Sequence, residues 1–229
     1  MHILSFFIIR YVFVMHVESI IKTAKLLTFQ RLIMAINNAR NAIKEAFVSL
    51  YKTTSADRIT VEMLCKQAYL SRSTFYKHFS GVSAVLEEIE DEIREEMTSI
   101  NNDYNYQNIF DVRLDYPSPN FVEMFRCVLR HRDFFTGAYS SHGNPSFYLR
   151  SKNMIASFLK EHILEHDKNV RYCDIICDIC SDYIITCCKM MIQYEDTLSA
   201  KGMAIEVKKQ IVDFVQNEDL YITGDKKKH

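Results

Sequence analysis

From residue 38 onward, apolar residues return every third or fourth position. Ala42, Ile43, Ala46, Phe47 and Leu50 follow the 3.6-residue period of a helix with one buried face, and Thr53-Thr54-Ser55 breaks it. The pattern predicts a first helix over about 38–52, capped by Asn37 or Asn38. Thr60 is placed to cap a short second helix carrying Val61, Leu64 and Cys65, and Ser71 to cap a third over about 72–78. The third turns Phe75 inward and stops before Ser80-Gly81, where glycine accepts a left-handed backbone. Leu86, Ile89, Ile93, Met97 and Ile100 then lie on one stripe of a long fourth helix. Residues 101–120 are polar and contain Pro117-Ser118-Pro119, which predicts a connector. Beyond it, helices are expected over about 120–131, 146–165, 170–194 and 198–217, with turns at Gly143-Asn144-Pro145 and Asp167-Lys168-Asn169.

Composition agrees with an all-α chain. Only 5 glycines and 3 prolines in 229 residues leave little punctuation for hairpins, while 48% of residues are hydrophobic. The division expected is an N-terminal extension (1–36), a small helical module (37–82), a larger helical region (83–220) and a basic tail (221–229). A formal net charge of −1 excludes a chain that binds polyanions over its whole surface, so any nucleic-acid face must be local. The small module supplies one. Between residues 38 and 86, Arg40, Lys44, Lys52, Arg58, Lys66, Arg72 and Lys77 face only Glu45, Asp57 and Glu62. The run after it, Glu87 to Glu96, is acidic. Seven cysteines without framework spacing suit a reducing compartment, the cytoplasm. The apolar start, Phe6–Ile9 and Tyr11–Met15, is interrupted by Arg10 and is too short to span a bilayer, and it lacks the features of a signal peptide. Met1, Met15 and Met34 each could begin the chain.

Two short helices joined by a tight turn and packed on a longer one form the geometry that presents an exposed helix to the DNA major groove. Ile59-Thr60-Val61 through Cys65, followed by Ala68-Tyr69-Leu70-Ser71-Arg72-Ser73-Thr74-Phe75-Tyr76-Lys77-His78-Phe79, resembles the helix-turn-helix of the TetR family of transcriptional regulators. The resemblance covers about residues 38–86. It implies that Thr60, Tyr76, Lys77 and His78 contact phosphates, which sets register, and that Arg72, Ser73 and Thr74 face base edges. Phe75 and Phe79 are expected in the core. One departure is Val82-Ser83 at the start of the fourth helix, where many members carry Lys; a helix N-terminus can attract phosphate there unaided.

The resemblance also implies a homodimer on a pseudo-palindromic stretch of double-stranded operator DNA, and a small-molecule effector in the C-terminal region. The intersubunit bundle is expected from Ile176, Ile179, Tyr183 and Ile184 in one late helix and Ile205, Ile211, Val212 and Val215 in the next. Phe121, Phe125, Phe134, Phe135, Tyr139, Phe147 and Phe158 crowd the middle of the chain, as core or as walls of an apolar pocket. Cys173, Cys177 and Cys180 share one helical face, which sustains a second reading, a metal- or redox-responsive sensor, against plain packing among isoleucines. His162-Ile163-Leu164-Glu165-His166 has the H-x-x-E-H spacing of some zinc peptidases, without an evident third ligand. G-x-G-x-x-G, P-loop and G-x-S-x-G motifs are absent from the sequence, so no catalytic residue, cofactor, metal or membrane partner is expected.

Overall fold

The computed structural model describes residues 38–104, 109, 110 and 113–217. The expected N-terminal extension, the cap at Asn37 and the basic tail lie outside the described residues. The first helix, α1, covers 38–51. It is followed by a 3-10 turn (Ala56–Arg58), α2 (Val61–Gln67), α3 (Arg72–His78) and α4 (Val82–Tyr104). The remaining helices are α5 (Pro119–Arg130), α6 (Arg132–Ala138), α7 (Pro145–His166), α8 (Cys173–Gln193) and α9 (Ala200–Gln216). The described part of the chain is all-helical.

Both short helices start where their hydroxyl residues stand. The Thr60 side chain accepts from the Met63 N–H at 3.2 Å and that of Ser71 from the Thr74 N–H at 3.1 Å. Each satisfies a donor that the helix itself leaves open, worth about 1 kcal/mol. Between them the chain turns on Tyr69, at φ 55°. The Leu70 N–H reaches back to the Cys65 carbonyl at 2.9 Å and the Tyr69 N–H to that of Lys66 at 3.4 Å. This is the Schellman closure, which favours glycine at the left-handed position; here a tyrosine holds it. Phe75 and Phe79 are buried with Ile43, Phe47, Leu64 and Val85, which fixes α3 on α1 and α4.

The long α4 leads from this module into a bundle in which α5 packs on α4 and α9, and α8 on α7 and α9. Of its expected stripe Ile89, Ile93, Met97 and Ile100 are buried and Leu86 is half-buried, and Val85 joins them. It runs through Tyr104, into the stretch read as connector. Lys152 on α7 reaches Asp178 at 2.8 Å and Asp182 at 2.7 Å on α8. The buried ammonium of Lys208 on α9 donates to the carbonyls of Arg113 and Tyr116, holding the segment before α5.

Helix α6 has no counterpart in the sequence pattern. His131, at φ −101° and ψ 22°, is the only residue between α5 and α6, and neither Pro nor Gly marks the break. Gly137 lets α6 reach the end of α1: a Cβ there would stand 2.5 Å from the Tyr51 carbonyl oxygen. All seven cysteines are buried.

Candidate functional site

Helix α3 carries two faces of different chemistry. Phe75 and Phe79 point into the core, while Arg72, Ser73, Tyr76 and Lys77 are exposed and Thr74 and His78 half-buried. Tyr76 is 59% exposed although it is aromatic. Its ring meets Phe75 edge-on, with centroids 5.4 Å apart, so the hydroxyl is projected from a braced position. Ser71 Oγ lies 2.8 Å from Ser73 Oγ and 2.9 Å from Thr74 Oγ1, so these hydroxyls form one cluster over the start of α3. Arg72 donates to Glu62 on α2 at 2.6 Å; both are well exposed, so water competes and the pair is cheap to exchange.

The basic residues of the module divide. Arg40 on α1 turns inward: its guanidinium grips the Glu88 carboxylate, donates to the His78 carbonyl at 3.1 Å and lies 4.5 Å over the Phe79 ring. The hydrogen bond from Arg40 holds the Glu88 carboxyl below the usual range, against the opposing effect of burial. Lys44 reaches Glu92 at 2.5 Å and Lys52 reaches Asp133 at 2.9 Å. Positive charge on the outer face of α2 and α3 is therefore that of Lys66, Arg72 and Lys77.

A second feature lies within the bundle. A partly open cavity of about 200 Å³ is lined by residues of α4, α5, α6, α7 and α8. Of the aromatic residues expected around an effector, Phe135, Tyr139 and Phe147 line it. Phe121 and Phe158 line a narrower space that shares Met97, Met124, Met154 and Ile155 with it. Phe125 and Phe134 line neither and pack as core. The polar wall was missed: Glu90, only 7% exposed, is paired with Arg150. Burial pushes the Glu90 carboxyl above its ordinary range, against Arg150 and Asn144, which favour its charge. Asn144 Nδ2 is 3.5 Å from Glu90, and the Asn144 N–H donates to the Tyr51 hydroxyl at 3.1 Å. A polar thread thus joins the cavity wall to α1. A signal existed, since Glu90 sits on the same helical stripe as Leu86, Ile93 and Met97.

Neither a protein-family model nor a curated protein matches the sequence. Solved structures do. A TetR transcriptional regulator from Streptococcus agalactiae, 17% identical, aligns 98% of its length with 80% of this chain at a TM-score of 0.55. SmeT, the repressor of the SmeDEF multidrug efflux pump of Stenotrophomonas maltophilia, is 15% identical over 76% of this chain and 88% of its own, at 0.54. The fatty acid degradation regulator FadR from Bacillus halodurans is 10% identical over 76% and 94%, at 0.53. The chain has the TetR-family fold. The likeness extends through the helical bundle, well beyond the helix-turn-helix residues that carry the sequence resemblance.

Within this TetR-family fold the cysteine stripe noted in the sequence stays buried on α8, while the two histidines of the H-x-x-E-H motif differ in exposure. Cys173, Cys177 and Cys180 are buried, with the first two sulfurs 3.9 Å apart. Burial pushes the Cys177 thiol up, and that of Cys180 up to about 12. His162 is buried, its ring 4.2 Å from that of Phe158 and its Nδ1 3.1 Å from the Phe158 carbonyl. His166 is exposed and stacks on Phe110 at 4.4 Å. Among the described residues, neither set gathers three ligand atoms. No described helix is long and apolar enough to cross a membrane.

Proposed function

We propose that this chain is a DNA-binding transcriptional regulator, acting as a repressor in the cytoplasm, that holds a pseudo-palindromic operator as a homodimer and lets go when a small ligand enters the bundle. The observation that carries the reading is the outer face of α3: capped, clamped from below by two phenylalanines, and presenting hydrogen-bonding side chains and no carboxylate. Tyr76, Lys77, His78 and Thr60 are assigned to phosphates. Arg72, Ser73 and Thr74 are assigned to base edges, with Arg72 exchanging Glu62 for guanine. One such helix reads only a few base pairs, so specificity calls for two copies related by a two-fold axis.

Two features support the remaining parts. Ile175 and Ile179, one turn apart on α8, are 50% and 42% exposed, an apolar strip suited to a second copy. Of the residues expected on that interface, Ile176, Ile184, Ile211 and Val212 are buried within the chain, while Ile179 is exposed and Ile175 joins it in the strip. The ligand is a small or slender, largely apolar molecule, given the cavity's size and walls. Entry that disturbs Glu90 or Arg150 would act on Asn144 and, through it, on Tyr51 of α1. The ligand shifts the population between two dimers and changes DNA affinity by that coupling.

The test is a titration of purified protein against DNA from its own upstream region, at two salt concentrations, with unrelated competitor DNA. Dimeric binding that resists competitor and weakens steeply with salt is expected. Binding no tighter than to competitor for that region and for operators selected from random DNA would overturn the reading.

A further inference from the structure

The last turn of α5 carries Cys127 and, four residues on, His131 follows at the helix end, so both face the same way, toward Glu96 on α4. Nε2 of His131 lies 2.7 Å from Glu96 Oε2. The Cys127 sulfur, the His131 ring nitrogen and a Glu96 oxygen all fall within 4.8 Å of one another, and among the described residues this is the group in which three such donors meet.

We propose that Glu96, Cys127 and His131 form a binding site for a thiophilic divalent cation of the zinc class, shared between α4 and α5. Thiolate, imidazole and carboxylate are the three donor types that such an ion accepts, and three protein ligands leave a fourth position for water. Bonds of about 2.0–2.3 Å put neighbouring ligand atoms roughly 3.3–3.8 Å apart in a tetrahedral site, so side-chain torsions suffice to close this group on an ion. Arg130 donates from Nε to Glu96 Oε1 at 3.1 Å, which leaves Oε2 for the ion and fixes the plane of the carboxylate. Of the three, His131 borders an open cleft with Lys44, Lys52, Ile89 and Asp133, its side chain 34% exposed, and this is the side from which an ion would enter.

Only the thiolate ligates a metal, so Cys127 gives up its thiol proton on binding. The cation displaces that proton: the sulfur exchanges its S–H bond for a bond to the metal and one proton passes to solvent. Uptake should release a proton and tighten as pH rises. The bound ion ties α4, which continues from the helix-turn-helix, to α5. The site stands on its own geometry and does not depend on the operator reading.

The test uses the full chain, stripped of metal, kept reduced by a non-thiol reductant and titrated with cobalt(II). One equivalent per chain is expected, with a sulfur-to-cobalt charge-transfer band, visible bands of a four-coordinate ion, proton release, and displacement by zinc(II). His131→Ala should keep its helicity and bind at least about 100-fold more weakly, beyond the ~10–100-fold of an outer-shell partner. Cys127→Ser should lose the charge-transfer band. No saturable binding, or a thiolate band surviving in Cys127→Ser, overturns the proposal, the latter by placing the metal on other cysteines. Should Cys127→Ser not fold, unchanged cobalt affinity in both His131→Ala and Glu96→Gln overturns it equally.

Discussion

Tyr69 occupies a position where its own side chain is a burden. At φ 55° a bulky L-residue crowds its carbonyl, and the ring is 95% exposed, so packing returns little. Tyr69→Gly should therefore stabilise the chain, by up to about 1 kcal/mol after the added freedom of the unfolded glycine is deducted, measured by urea denaturation. Tyr69→Val should destabilise it. The two faces of α3 make a second contrast. Tyr76→Ala should weaken binding to all DNA sequences and lower the salt slope by about one, whereas Arg72→Ala should relax specificity at particular bases by about 1–3 kcal/mol. Equal loss on all sequences from Arg72→Ala would move that residue to the phosphate set. Nothing in Ala68-Tyr69-Leu70 announced a left-handed residue, because glycine is the usual sign and the hydrogen bonds that enforce the turn come from Cys65 and Lys66.

At the scale of elements, α3 is held by a clamp that sequence separation concealed. Arg40 joins Glu88, the His78 carbonyl and the Phe79 ring, 38 to 48 residues away. A planar fork with several fixed donors does this and an ammonium does not, so Arg40→Lys should loosen α3 nearly as much as Arg40→Ala. Hydrogen exchange in 72–78 would read it. Glu88, held below the ordinary carboxylate range by that fork, gives the pH dependence a sign. Its folded value lies under its unfolded value of about 4.3, so its contribution is complete above that value and is lost as pH falls through the folded one. Glu88→Gln should flatten the acid limb of stability by on the order of 0.5–1 kcal/mol. What was legible here was local: Thr60 and Ser71 as caps, and Phe75 and Phe79 as the buried side. What was not was α6, whose boundary with α5 is a single histidine in a bridge conformation, and the Glu96–Cys127–His131 group, whose Cys/His spacing is visible while its glutamate comes from another helix.

For the whole molecule, the thread from Glu90 through Asn144 to Tyr51 is a polar route from the cavity wall to α1. Tyr51→Phe removes the hydroxyl that receives the Asn144 N–H, at a cost of about 1–2 kcal/mol. If the thread couples the sites, this variant binds DNA and ligand separately but shows a reduced change in one on adding the other; an unchanged coupling would mean that packing alone carries it. If the chain dimerises through the exposed strip of α8, Ile179→Glu should shift it to monomers by sedimentation without unfolding the chain. The sequence pointed to α8 with exposed Ile179 mixed among the inward Ile176 and Ile184, since a helix made of isoleucine and cysteine on several sides does not say which side faces out.

Seven buried thiols and no tryptophan make the folded chain silent to thiol reagents while leaving it ready to report its own opening. Cys65 lies on α2, Cys127 on α5 and the other five on α8, so each of these three helices carries a stopwatch of its own. At low reagent, labelling of Cys65 against Cys127 and Cys188 would compare how often the helix-turn-helix end and the bundle breathe; at high reagent it would give the rates at which they open. A ligand or an operator that tightens one end should slow the clock there and leave the other running.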